Sequence, residues 1–157
     1  MGHIMDSVKE FFEIDEWEIR QIAEADNVLQ TGFRGDNGEW DCLAVALEDS
    51  GFFLFYSMCP RTCPPERMPQ MIEFIHRANF GLNLGNFELN VDDGEIRFKT
   101  SVRLDGESVP YKLCQHLVHH NVLVMDEYMP GIQCIVDGDF SAEAAIMIVE
   151  TPAVGEA

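Results

Sequence analysis

Between Phe87 and Leu104 apolar and polar residues alternate on both sides of one Asp-Gly pair. A period of two on either side of a turn marks an antiparallel hairpin with one buried and one wet face. Asp93-Gly94 is a favoured turn pair, because Gly and, less readily, Asp tolerate positive φ. Centring a two-residue turn there predicts Val91 opposite Ile96, Leu89 opposite Phe98 and Glu88 opposite Lys99. Phe87, Leu89 and Val91 then share a face with Ile96, Phe98, Thr100, Val102 and Leu104, while Arg97, Lys99, Ser101 and Arg103 point the other way. A slip of one residue would drive the charges inside, so the pattern specifies which face is buried.

The remaining elements follow from the same rules. Val8, Phe11, Phe12 and Ile14 fall at helical spacing in a first helix from Met5 to Asp15. Met1-Gly-His-Ile-Met5 resembles a cloning remnant, so residues 1–4 are left out of the fold reading, with Met5 as candidate native start. Trp17 to Ala25 reads as a connector. Val28–Arg34 and Glu39–Glu48 form a hairpin around Asn37-Gly38, which sets Arg34 across from Asp41. Phe52–Met58 is apolar at nearly every position and predicts a central strand covered on both faces. Prolines 60, 64 and 65 end this meander, and a second helix runs from about Glu66 to Phe80. Ser108 and Pro110 open a third helix striped with Leu113, Leu117, Val118, Val122, Met125 and Met129, which Pro130-Gly131 should interrupt. Ser141 starts a last helix through Ile148, and residues 151–157 read as a flexible tail. The order is α-β-β-β-α-β-β-α-α, a single α+β domain over residues 5–150 with a mainly antiparallel sheet packed by helices.

Net charge is −18, from 28 acidic and 10 basic residues, which predicts repulsion of nucleic acid and of anionic membranes. No apolar run approaches the ~20 residues that cross a bilayer. The five cysteines are unevenly spaced, follow no secretory signal, and predict a reducing, cytoplasmic setting. Cys59 and Cys63 are the most suggestive pair, but their spacer is one residue longer than that of a redox dithiol. His116 and His120, near Cys114 and His119, could meet one metal on a helix, yet no second ligand group stands at a recognisable spacing. Asp126-Glu127 would not share a helix face, and Asp92-Asp93 belongs to the turn. No phosphate loop or serine nucleophile motif occurs, so neither catalytic residues, nor a metal, nor a cofactor is assigned.

Three longer runs carry a family likeness. GFRGDNGEWDCLAVALED leading into FFLFYSMCP, RANFGLNLGNFELNVDDGEIRFKTSV, and NVLVMDEYMPGIQCIVDG are similar to the YbjN-like family of bacterial proteins, above all to its cyanobacterial members. The resemblance spans Val8 to Ile148; the CPRTCPP segment departs from it. The family consists of candidate sensory transduction regulators, and its fold is similar to the type III secretion chaperones. Those chaperones are small, acidic and usually dimeric, and bind extended partner segments without ATP. The resemblance brings no catalytic residues. It implies a non-enzymatic protein-binding module, chaperone-like or regulatory, that forms a homodimer and takes a protein partner by strand addition or helix docking. The candidate contact residues are Phe87, Leu89, Arg97, Lys99, Arg103, Met125 and Met129, the methionines for their adaptable thioethers. The alternative is a thiol or metal sensor built on Cys59 and Cys63.

Overall fold

The computed structural model describes residues 2–21 and 26–150. The elements in chain order are α1 (His3–Ile14), β1 (Arg20–Gln21), β2 (Val28–Arg34), β3 (Glu39–Leu47), β4 (Phe52–Met58), α2 (Met68–Gly81), β5 (Asn86–Leu89), β6 (Ile96–Arg103), α3 (Tyr111–Asp137) and α4 (Ala142–Glu150). The strands form one antiparallel sheet in the order β1-β2-β3-β4-β6-β5. This is the α+β order expected from the sequence, with one short strand added. Arg20 and Gln21 pair with Gln30 and Leu29, because the connector after α1 lies along the edge of β2. The expected tail at 151–157, and residues 22–25 of the connector, lie outside the described residues.

All the helix packing falls on one side of the sheet. α1 lies against β3, α3 against β4 and β6, α2 against β5, and α4 against α2 and α3. The face they cover carries Leu29, Trp40, Cys42, Ala44, Phe53, Phe55, Ile96 and Phe98, all buried. Phe12 of α1 meets Phe55 at 6.1 Å, and Phe87 bridges Phe98 at 4.7 Å and Tyr128 of α3 at 5.4 Å between ring centres. Polar groups fix the seat of α3 on the sheet. Thr100 donates to the Leu117 carbonyl at 2.9 Å, and the Asn121 amide, fully buried, donates to the carbonyls of Phe55 at 2.8 Å and Phe98 at 3.1 Å.

Ile4, left out of the fold reading from sequence, packs into this core beside Met5. Ile4 is 2 % exposed and Met5 1 %, on the same helix face as Val8 and Phe12. Gly2 offers no capping side chain, so the Glu48 carboxylate, just past β3, accepts the amides of Ile4 at 3.2 Å and Met5 at 3.0 Å. A carboxylate there satisfies otherwise orphaned donors and faces the positive end of the helix dipole.

α3 does not break at Pro130-Gly131. A proline removes the hydrogen bond to the carbonyl four residues earlier, here that of Asp126. That carbonyl accepts instead from the Asn37 side chain at 3.0 Å, so the helix continues with no orphan. Gly131 admits the Phe74 ring, which would lie 2.6 Å from any Cβ at that position. The pair expected to end a helix is thus the place where two other elements dock on it.

Both hairpins pair two residues out of the expected register, a shift that leaves the paired side chains of each strand on the same face of the sheet. In the first, Arg34 opposes Glu39 rather than Asp41, and the turn sits at Asp36-Asn37. Its two amides donate to the Asp126 carboxylate at 3.0 and 2.8 Å, and any Cβ at Gly35 would strike that carboxylate. In the second, Leu89 opposes Ile96 and Phe87 opposes Phe98, so the loop runs from Asn90 to Glu95 and leaves Val91 exposed. Gly94 adopts φ 81° and packs so close to Cys63 that a Cβ would fall 2.2 Å from its carbonyl oxygen. A tertiary contact displaces each turn from its locally favoured position.

Candidate open-face binding site

The sheet face turned away from the helices is the candidate site. β4 alternates buried and half-buried residues, so Phe53, Phe55 and Ser57 enter the core while Phe52, Leu54, Tyr56 and Met58 line the other face. Register places Leu43 beside Tyr56, Val45 beside Leu54, Leu47 beside Phe52 and Val28 beside Val45. The centre of this face is therefore apolar, where a solvated antiparallel face usually carries polar residues. Such side chains screen one another only laterally, which is why they are half-buried with no helix above them. The expectation that β4 is covered on both faces fails for this reason: among the described residues no element crosses the second face.

Charge frames the apolar centre. β6 contributes Arg97, Lys99 and Arg103, with Ser101 between them. Glu88 of β5 lies opposite Arg97 and accepts from Arg97 Nε at 2.7 Å and Lys99 Nζ at 3.1 Å. Burial alone would raise the Glu88 carboxyl, but the hydrogen bonds from Lys99 and Arg97 and their charges outweigh it and hold the group below the usual Glu range. Arg97 also lies over the Tyr56 ring, 4.3 Å from its centre. At the opposite corner a hollow of about 560 Å³ opens around Gly32, bordered by Arg20, Arg34, Glu39, Asp41 and Met58.

The sequence-predicted contact residues divide sharply. Arg97, Lys99 and Arg103 stand on the open face. Leu89 is half-buried against the core. Phe87 is 2 % exposed and Met125 and Met129 are fully buried, so these three pack the interior and do not reach a partner in this conformation. A period-two or helical stripe cannot tell a core face from a docking face, and here the stripe was core. The residues that sequence reasoning missed are Leu43, Val45, Leu54 and Tyr56. Their signal was the nearly continuous apolar run of β4, read as a strand buried twice over.

Strand addition at the β5 edge meets an obstacle. The outward backbone groups of Phe87 are both taken by one side chain: Asn79 of α2 accepts from its N–H at 2.7 Å and donates to its carbonyl at 3.1 Å. That amide occupies the place of a neighbouring strand, a way of blunting an exposed edge.

The sulfur and imidazole groups are engaged separately. Burial pushes the Cys59 and Cys63 thiols up, and Cys42 and Cys114 up to about 12, away from the thiolate that redox or metal chemistry needs. Cys63 donates an amide to the Gly94 carbonyl at 2.8 Å, and Cys59 to that of Ile96 at 2.9 Å, so both belong to the packing around β6. His119 pairs with Asp15 at 3.1 Å and His120 meets the Leu84 carbonyl at 3.0 Å, while His116 is exposed. Asp126 serves the first hairpin.

No family model and no curated protein matches the chain. Among solved structures it is similar to the crystal structure of YbjN, described as "a putative transcription regulator from E. coli". The TM-score is 0.58 at 12 % identity, over 85 % of this chain and 89 % of that one. No helix among the described residues is long and apolar enough to cross a membrane. The α+β architecture built above, one antiparallel sheet with its helices on a single face, is the fold of YbjN.

Proposed function

We propose that this protein is a non-enzymatic, cytoplasmic binding module, regulatory or chaperone-like in role, that engages another protein through the open face of its sheet. One observation carries the reading: a chain of net charge −18 keeps an apolar, cation-framed sheet face clear of its own helices. Burying such a face releases water from apolar surface, and the flanking cations select for acidic or neutral surroundings. The description of E. coli YbjN as a regulator supports a binding role. The β5 edge, blocked at Phe87 by Asn79, favours docking onto the face over strand addition.

The test is retention of protein from host extract on the immobilised chain, compared with a Leu54→Arg variant shown to be folded. Loss of a specific retained protein in the variant is the expected result. Equal retention by both forms would remove the face from consideration. The thiol-sensor reading draws no support from the raised Cys59 and Cys63 thiols.

A further inference from the structure

We propose that the occupant of the open face is a second copy of this chain, the two sheets stacking as an aligned sandwich about a two-fold axis that runs along the strands between β3 and β4. The inference rests on the reading of that face as a binding surface and names what covers it.

Charge is the first argument. Five of the ten basic residues (Arg20, Arg34, Arg97, Lys99, Arg103) and five of the 28 acidic ones (Glu18, Glu39, Asp41, Glu88, Glu95) project from or border this face, a net of zero. The rest of the chain then carries the whole −18. Two copies meeting anywhere else would bring strongly acidic surfaces together, and like charges in apposition oppose association. Here they meet where the acidic field is interrupted and the centre is apolar.

Register supplies the second. With the order β1-β2-β3-β4-β6-β5, the proposed axis sets β3 over β4 of the other copy and β2 over β6. Residues at one level across the sheet are Gln30, Leu43, Tyr56 and Lys99, and one step along they are Val28, Val45, Leu54 and Ser101. Leu43 therefore meets the other copy's Tyr56, and Val45 its Leu54, giving a four-residue apolar layer repeated by symmetry. The β6 cations fall over β2, where Gln30 and Gly32 are uncharged, and not over their own counterparts. Asp41, beside Gly32, comes near the other copy's Arg97. The rotation thus pairs unlike rows.

Size is the third. Six strands ~4.8 Å apart with ~3.3 Å per residue give a face of roughly 600 Å² in projection, and its corrugated accessible area is of the order of the ~800 Å² per partner of a standard stable interface. Aligned stacking at ~10 Å and about −30° is the ordinary way two twisted sheets share a core.

Sedimentation equilibrium of the full chain across nanomolar to micromolar concentration tests the proposal. The wild type should weigh twice its 17.8 kDa chain mass at micromolar concentration. Leu54→Arg should return it to 17.8 kDa with unchanged far-UV circular dichroism. Should Leu54→Arg unfold, Ser101→Arg carries the test: that position is already exposed, and an added charge at the rim should weaken the dimer at least about tenfold. Phe80→Asp, at an apolar residue 90 % exposed on α2, should leave the dimer unchanged. A wild type monomeric throughout overturns the proposal, and so does a dimer that Phe80→Asp breaks and the open-face variants spare. If the wild type is monomeric while Leu54→Arg still abolishes retention of another protein, the face binds a different partner and only the second-copy assignment fails.

Discussion

Asp126 shows how much one side chain can organise. Its carboxylate takes both amides of the Asp36-Asn37 turn, and its own carbonyl, freed by Pro130, takes the Asn37 side chain. A half-turn of helix and a hairpin tip are thereby locked together by three hydrogen bonds, two of them to a charged acceptor. Replacing Asp126 by Ala leaves two turn amides without their acceptor and should cost about 2–3 kcal/mol of stability. The urea midpoint should fall with an unchanged slope, and Asp126→Asn, which keeps one acceptor oxygen, should fall between. An unchanged midpoint for the Ala variant would mean that water serves the turn equally well.

Among the elements, the short strand β5 is the informative one. It is four residues long, lies at the sheet edge, and owes its outer satisfaction to Asn79. Asn79→Ala should lower stability by about 1–2 kcal/mol and expose an unpaired edge at Phe87. Thermal unfolding together with light scattering on standing measures both effects; no gain in scattering would show that the edge is protected by other means. The two β-hairpins also mark the limit of local reasoning. Asn37-Gly38 and Asp93-Gly94 are good turn pairs, and the strands on either side of them formed as expected. Yet Asp126 draws the first turn to Asp36-Asn37, and the contact of Gly94 with Cys63 opens the second into a longer loop. Those partners lie 89 and 31 residues away, beyond any window of turn propensity.

For the molecule as a whole, charge and one-sided packing act together. An acidic chain with a cationic strip should respond to pH through the groups that hold the strip. Glu88 is the chief of them, with its carboxyl held below the usual range in the folded state. A depressed carboxyl stabilises the fold above the ordinary Glu value of about 4.3, and that contribution disappears as pH falls through the lower native value. Wild type should therefore exceed Glu88→Gln in urea midpoint at pH 7, and the two should converge as pH falls through the lowered native value. A difference that persists at the acid end would assign the effect to packing and not to ionisation. Only the β6 part of the proposed binding surface was legible beforehand. Arg97, Lys99 and Arg103 were recognisable from alternation, whereas Leu54 and Tyr56 were hidden by the assumption that an all-apolar strand has helices on both sides.

By itself the sequence determined the order of the longer elements, the inward face of β6 and the acidic character. These follow from periodicity, turn chemistry and counting, which are properties of neighbours along the chain. Tertiary structure decided the hairpin registers, the continuity of α3 through Pro130, the burial of Phe87, Met125 and Met129, and the bare second face of the sheet. Each of these depends on which distant group reaches a given atom, or on whether any element lies above it. An apolar residue has the same identity whether a helix covers it or nothing does, so only the folded arrangement could turn β4 from a core strand into the centre of an open sheet face.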